Sequence, residues 1–162
     1  MGEWLVVHGR LKKMNIRLLT TNDLSSVNRL ILQLASATNF DFSIRPDQVE
    51  VIFERMMQHQ DLYLNLVAEQ AGDVVGLVSV VCYQSWFHPG GTALINELIV
   101  DEQARNQGIG KRLIDAAIEE ARQRGMDEIE VGTEGDNLGA LRFYQRCGFD
   151  QSYVLLGMEF EP

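Results

Sequence analysis

Apolar positions along this chain repeat with the helical and the strand period in turn, and the switches between them mark its elements. Residues 15–19 alternate as a strand. Thr20-Thr21-Asn22-Asp23 then offers cap residues to a helix carrying Leu24, Val27, Leu30, Ile31 and Leu34 at helical spacing. Pro46 opens a second helix, which runs to about His59 through Val49, Ile52, Phe53 and Met56. The period then shortens. Residues 62–70 and 74–83, rich in Leu, Val and Tyr and joined across Ala71-Gly72-Asp73, predict a hairpin. Residues 84–91, with Trp86, His88 and Gly90-Gly91, read as a loop before a strand over 92–100.

Residues 108–124 give the clearest helix. Ile109, Leu113, Ala117 and Ala121 form one stripe, Lys111, Arg112, Asp115, Glu119 and Arg122 lie elsewhere, and Gly125 can stop it. A strand (128–133), a polar turn (134–137), a helix (138–147) and a last strand (151–158) complete the order. That order, β-α-α-β-β-β-α-β-α-β, predicts an α/β fold of the α+β type, a mixed central sheet flanked by about four helices. Residues 1–13 read as an N-terminal extension with an extended start, ahead of a single domain over 14–162.

Composition narrows the classes. A chain of 162 residues, 46% hydrophobic and 23% charged, is a globular domain large enough to build its own core. Its net charge of -9, from 14 Lys and Arg against 23 Asp and Glu, repels phosphate backbones and argues against nucleic-acid binding. Cys82 and Cys147 match no metal-ligand spacing, and His8, His59 and His88 are too dispersed for a metal site. The apolar start Trp4-Leu5-Val6-Val7 is too short for a signal peptide, and no run approaches a membrane span. The expectation is a cytoplasmic protein without metal or membrane partner.

Candidate chemistry begins at Arg105-Asn106-Gln107-Gly108-Ile109-Gly110-Lys111, which joins a strand to a helix. Backbone amides at a helix N-terminus are unpaired donors, the helix dipole adds positive potential, and glycines let an anion come close. Arg105, Lys111 and Arg112 add charge beside them. Two common phosphate motifs do not fit. A P-loop needs glycine where Arg105 stands and Ser or Thr after Lys111, and a dinucleotide fingerprint needs glycine at Leu113.

The element Arg105-x-x-Gly108-x-Gly110 follows the strand Ile95-Asn96-Glu97-Leu98-Ile99-Val100. Some thirty residues on comes Asn137-x-x-Ala140-x-x-Phe143-Tyr144, closed by Cys147-Gly148-Phe149. In these two segments and their spacing the sequence closely resembles the GNAT family of acetyl-CoA-dependent N-acetyltransferases, over roughly Asn15 to Met158. The resemblance implies a sheet with a splayed strand pair and a coenzyme A pyrophosphate on the backbone of Arg105, Asn106, Gln107, Gly108, Ile109, Gly110 and Lys111. It implies that Leu98, Ile99 and Val100 pair with the pantetheine arm and supply an oxyanion donor, and that Asn137 contacts that arm. Tyr144 matches the tyrosine near the coenzyme sulfur, the candidate acid. Asn106 stands where relatives often have glycine, and Asn tolerates left-handed backbone angles best among the other residues.

Acyl transfer to an amine needs a base path, an oxyanion donor and an acid around one thioester carbon. Glu97 is the candidate base. It shares strand parity with Ile95 and Ile99, so regular alternation aims it at apolar neighbours, whereas a bulge re-aims it into a cleft where burial raises its pKa. Other roles stay open: Glu97 paired with an arginine or binding a cationic substrate, Tyr144 packed beside Phe143, Asn137 as a helix cap, Arg105 as a solvated charge. Cys147, beside Phe149 at an apolar helix end, reads as a buried thiol rather than a nucleophile.

The resemblance places the acceptor near residues 38–46 and 84–91, where Asp41 with Phe40, Phe42, Trp86, Phe87 and His88 suits an ammonium ion. The expected function is transfer of an acetyl group from acetyl-CoA to a small-molecule amine in a ternary complex, by a protein resembling a homodimer-forming family. A protein or peptide N-acetyltransferase and a non-catalytic acyl-CoA sensor are the alternatives.

Overall fold

A computed structural model describes residues 3–7, 10–37, 45–158 and 160. Its frame is a six-stranded sheet, β1 (Glu3–Val7), β2 (Arg10–Leu18), β3 (Tyr63–Gln70), β4 (Asp73–Tyr83), β5 (Thr92–Val100) and β6 (Glu128–Val131), with spatial order following chain order. Every neighbouring pair is antiparallel except β5 and β6, which run parallel. The helices are α1 (Leu24–Ala37), α2 (Pro46–Met57), α3 (Ile109–Gln123) and α4 (Leu138–Arg146). None of those described is long and apolar enough to cross a membrane.

Local chemistry sets the elements. The hairpin of β3 and β4 turns on Ala71 and Gly72, with φ of 56° and 94°, the two positive values that a two-residue primed turn requires. At the entry to α1, Asp23 accepts from Thr20 N at 2.9 Å and Thr20 Oγ1 at 2.8 Å, and Arg17 donates to both its carboxylate oxygens at 2.7 and 2.9 Å. Arg17 also reaches Glu69 on β3 at 2.8 Å, tying the helix start to the sheet. The Arg17 guanidinium overcomes the effect of burial and pulls the Asp23 pKa down to about 2.

Two apolar layers result. Leu64, Leu66, Val78, Val80 and Ile95 pack against Ile109, Leu113, Ile114, Ala117 and Ala121 of α3 on one face. Val67, Val74, Leu77 and Ile99 pack against α1 and α2 through Val27, Leu30, Val49 and Phe53 on the other. The two layers put Ile95 and Ile99, which share a parity in sequence, on opposite faces.

Two sequence expectations are revised. Residues 3–7 form a strand of their own against β2. The last strand over 151–158 is absent: these residues form no ladder, and Val154, Leu155, Leu156 and Met158 are exposed. β6 offers only four residues to pair with. Three consecutive apolar residues also lack the alternation that fixes a register.

Candidate active site

The register of β4 with β5 slips once, between Ser79 and Val80: Val80 pairs with Ile95 and Ser79 with Glu97, leaving Asn96 as the extra residue. Glu97 therefore leaves the α3 face and sits beside Ile99 on the α1–α2 face, opposite Ser79. Burial pushes its carboxyl above the ordinary range, and the adjacent Ser79 hydroxyl opposes this. The bulge that the sequence reading requires for a cleft-facing Glu97 is present.

Just beyond the bulge the sheet opens. β5 and β6 pair only from Thr92 with Glu128 to Ile95 with Val131, while β5 continues to Val100. The β6-side edge of Asn96–Val100 thus presents main-chain groups in mid-sheet, the kind of edge that takes an extended partner bearing amides. Leu98 and Val100 pack toward α3, and Ile99 is buried toward α1. The acyl-carrying arm of coenzyme A, itself a chain of amides, suits this slot.

The loop after β5 follows. Asp101 accepts from Gln103 N at 3.0 Å and pairs with Arg29 of α1, which also donates to Val74 O at 3.0 Å. The chain then turns through Asn106 and Gly108, both left-handed at φ 62° and 78°, into α3. The sequence reading that Asn106 tolerates such angles is met. The first amides of α3 have no helical acceptor, so an anion can take them. Arg105 Nε donates to Val100 O at 3.3 Å and its guanidinium lies 3.8 Å from Glu102. Lys111 is held by Asp115 at 2.6 Å, so its charge is partly spent within α3. Gln107 donates to Gln103 O and accepts from Gln70, each at 3.4 Å. Gly110 has a second reason to be glycine: a Cβ there would come within 3.3 Å of the Phe143 ring.

That ring belongs to α4. Asn137 caps this helix, its Oδ1 accepting from Ala140 N at 3.1 Å, which leaves its amide nitrogen out of the cap. Tyr144 is half-buried between Phe143 and Phe149, with edge-on centroid distances of 5.3 and 5.8 Å. Burial, then the nearby Cys147, raises its hydroxyl pKa. Burial also raises the Cys147 thiol, the wrong direction for a nucleophile at neutral pH. Tyr144 packs with the α3-side layer and Glu97 lies on the opposite face, so the opening between β5 and β6 separates them.

Sequence reasoning passed over the far end of the Glu97 face. Tyr83 Oη donates to Glu130 and Thr92 Oγ1 to Glu128, each at 3.3 Å, which puts both glutamates on that face. His88 sits 3.2 Å from Asp127 and 2.9 Å from Glu128. Glu128-Ile129-Glu130-Val131 alternates charge with apolar residues, and that pattern was the available signal. Of the expected acceptor residues, Trp86 and Phe87 are exposed on the loop, and Phe40, Asp41 and Phe42 lie outside the described residues. No metal-binding group of His, Cys, Asp or Glu occurs among the described residues.

A sheet opened at a bulge, followed by an amide-lined helix start, can hold an extended ligand with an anionic end, and the Acetyltransferase (GNAT) family model matches residues 29–149. This chain belongs to that family and is an N-acetyltransferase. It is 30% identical over 93% of its length to the uncharacterized N-acetyltransferase MJ1207 of Methanocaldococcus jannaschii, of which it covers 67%. It is 33% identical to the aminoalkylphosphonate N-acetyltransferase of Salmonella typhimurium, covering 85% of this chain and 86% of that one. Among solved structures, AAC(6')-Iy in complex with a bisubstrate analog, CoA-S-monomethyl-acetylneamine, shares the fold. Its TM-score is 0.75 at 20% identity, over 92% of this chain and 99% of that one. The family uses acetyl-CoA, and the residues at the opening fit that co-substrate.

Proposed function

We propose that this enzyme acetylates a small-molecule amine directly from acetyl-CoA in a ternary complex, with Glu97 as base and Tyr144 as acid. The observation that carries the reading is the bulge at Asn96, which turns Glu97 to one face while Tyr144 packs on the other. An acyl arm laid in the opening is then reached by the amine from the Glu97 side, and its sulfur leaves toward Tyr144.

Glu97 takes a proton from the incoming ammonium, and the free amine forms a bond to the acetyl carbon. An N–H on the open edge of Leu98, Ile99 or Val100 holds the developing oxyanion. The carbon–sulfur bond breaks and Tyr144 gives its proton to the departing thiolate; the bonded nitrogen then returns its surplus proton to the Tyr144 oxygen through water and Glu97 releases its own to solvent, leaving amide and free thiol. Asn106, Gly108 and the first amides of α3, with Arg105, hold the pyrophosphate, and the amide nitrogen of Asn137 meets the pantetheine. Two copies pair through the exposed Tyr153, Val154, Leu155, Leu156 and Met158, a pairing that a monomeric mass by light scattering would exclude.

The deciding experiment measures released thiol with acetyl-CoA and an amine both varied. Direct transfer gives intersecting reciprocal plots. Parallel plots would mean an acetyl-enzyme and overturn the ternary complex. Binding of acetyl-CoA with no amine acetylated would overturn the enzymatic role of Glu97 and Tyr144.

A further inference from the structure

The face that carries Glu97 does not end there. Toward the start of β5 it opens into a hollow of about 280 Å³, walled by Tyr83, Phe87 and Tyr153 and floored by Glu128 and Glu130, with His88 at its rim. The volume gives ample room for the cationic end of a small extended acceptor. Glu128 is occupied by His88 at 2.9 Å, whereas Glu130 meets only the Tyr83 hydroxyl at 3.3 Å among the described residues. The charge on Glu130 is therefore not neutralised within the hollow. Farther along the same face, outside the hollow, Ser79 is 3% exposed and opposite Glu97, with a hydroxyl that lacks a well-formed hydrogen bond.

We infer that the acceptor carries a second cationic group, held by Glu130 and the aromatic rings of this hollow while its reacting amine lies at Glu97; the inference rests on the proposed acetylation of small amines. The sheet sets the spacing. Glu130 lies level with Leu94, whose partner on β4 is Val81, and Glu97 is opposite Ser79, two residues along. Two strand steps and one strand spacing put the two Cα atoms roughly 8 Å apart. Nitrogens separated by three to four methylenes, as in linear diamines and triamines, match that distance. The Ser79 hydroxyl, opposite Glu97, accepts an N–H from the reacting amine.

The same chemistry excludes acceptors with an anionic end. The Salmonella relative is named for an aminoalkylphosphonate, and such a group needs a free cation. The hollow offers His88 alone, already between two carboxylates. The other expected acceptor segment, 38–46, holds one basic side chain, Arg45, which is paired with Asp47 at 3.0 Å.

The test compares kcat/KM for 1,4-diaminobutane, spermidine, n-butylamine and aminomethylphosphonate, with wild type, Glu130→Gln and Phe87→Ala. A charged hydrogen bond and a cation–π contact together are expected to favour the diamine over the monoamine by about 10–100-fold. Glu130→Gln should bring that ratio close to one, and Phe87→Ala, at an exposed position that does not threaten folding, should lower it by several-fold. Equal turnover of n-butylamine and the diamine, or preference for the phosphonate, would overturn the inference and leave the acetylation reading standing. Failure of every amine would overturn both.

Discussion

Replacing Asp23 by asparagine tests whether the ion cluster at the start of α1 holds the helix to the sheet. In the folded protein its carboxyl has a pKa of about 2 against an ordinary 3.8, chiefly because Arg17 donates to it. At about 1.4 kcal/mol per unit, that displacement is worth about 2 kcal/mol when both states are ionised. A depressed carboxylate pKa stabilises above the unfolded value, and the stabilisation is lost as pH falls through the folded one. The contribution is therefore full at pH 7, about half at pH 3 and nearly gone at pH 2. Thermal melts of the wild type and Asp23→Asn at pH 7 should differ by about 5–8 °C for a chain this size. Urea unfolding should show the gap narrowing by about half at pH 3. Other carboxylates are common to both proteins, so the difference isolates Asp23. A gap that stays constant between pH 7 and pH 3 would show that the side chain acts through shape and neutral hydrogen bonds rather than charge.

Three substitutions address the chemistry. Glu97→Gln should lower kcat/KM by about 10²-fold or more. It should also remove the rise in activity as pH climbs past the raised Glu97 pKa, because the base acts only when ionised; a change in KM alone would make Glu97 a substrate ligand. Tyr144→Phe should cut kcat by roughly 10–100-fold while acetyl-CoA still raises the melting temperature, and unchanged turnover would remove Tyr144 as the acid. Gly108→Asp forces a side chain into φ 78° and sets a carboxylate at the anion cradle. The melting shift caused by acetyl-CoA should vanish, and its survival would mean the pyrophosphate binds elsewhere.

Much of this fold is legible because each segment carries its own punctuation. Pro46 starts α2 and Gly125 follows α3, whose stripe of Ile109, Leu113, Ala117 and Ala121 is buried as its spacing requires. The glycine loop is legible too, since left-handed positions at Asn106 and Gly108 are a matter of residue type. What one strand shows by itself is weaker. Nothing in Ile95-Asn96-Glu97 says on which side of the bulge the carboxylate falls, because a bulge is a relation between two strands. The hollow was hidden for the same reason: Tyr83, Thr92, Glu128 and Glu130 meet only once three strands are aligned. Gly110, read for its backbone, also makes room for Phe143, a packing partner that local sequence does not reveal.

The extra residue in β5 works as a phase shift within one strand. Upstream of Asn96 the odd-numbered side chains face α3, and downstream they face α1 and α2. Deleting Asn96 would remove the bulge yet keep Ile95 and Glu97 on their present faces, because neighbours in a regular strand alternate. Straightening β5 with Asn96 in place would instead invert its second half, sending Glu97 to the α3 face and Leu98 to the one Ile99 now fills, so the slip in register is what keeps the carboxylate at the opening.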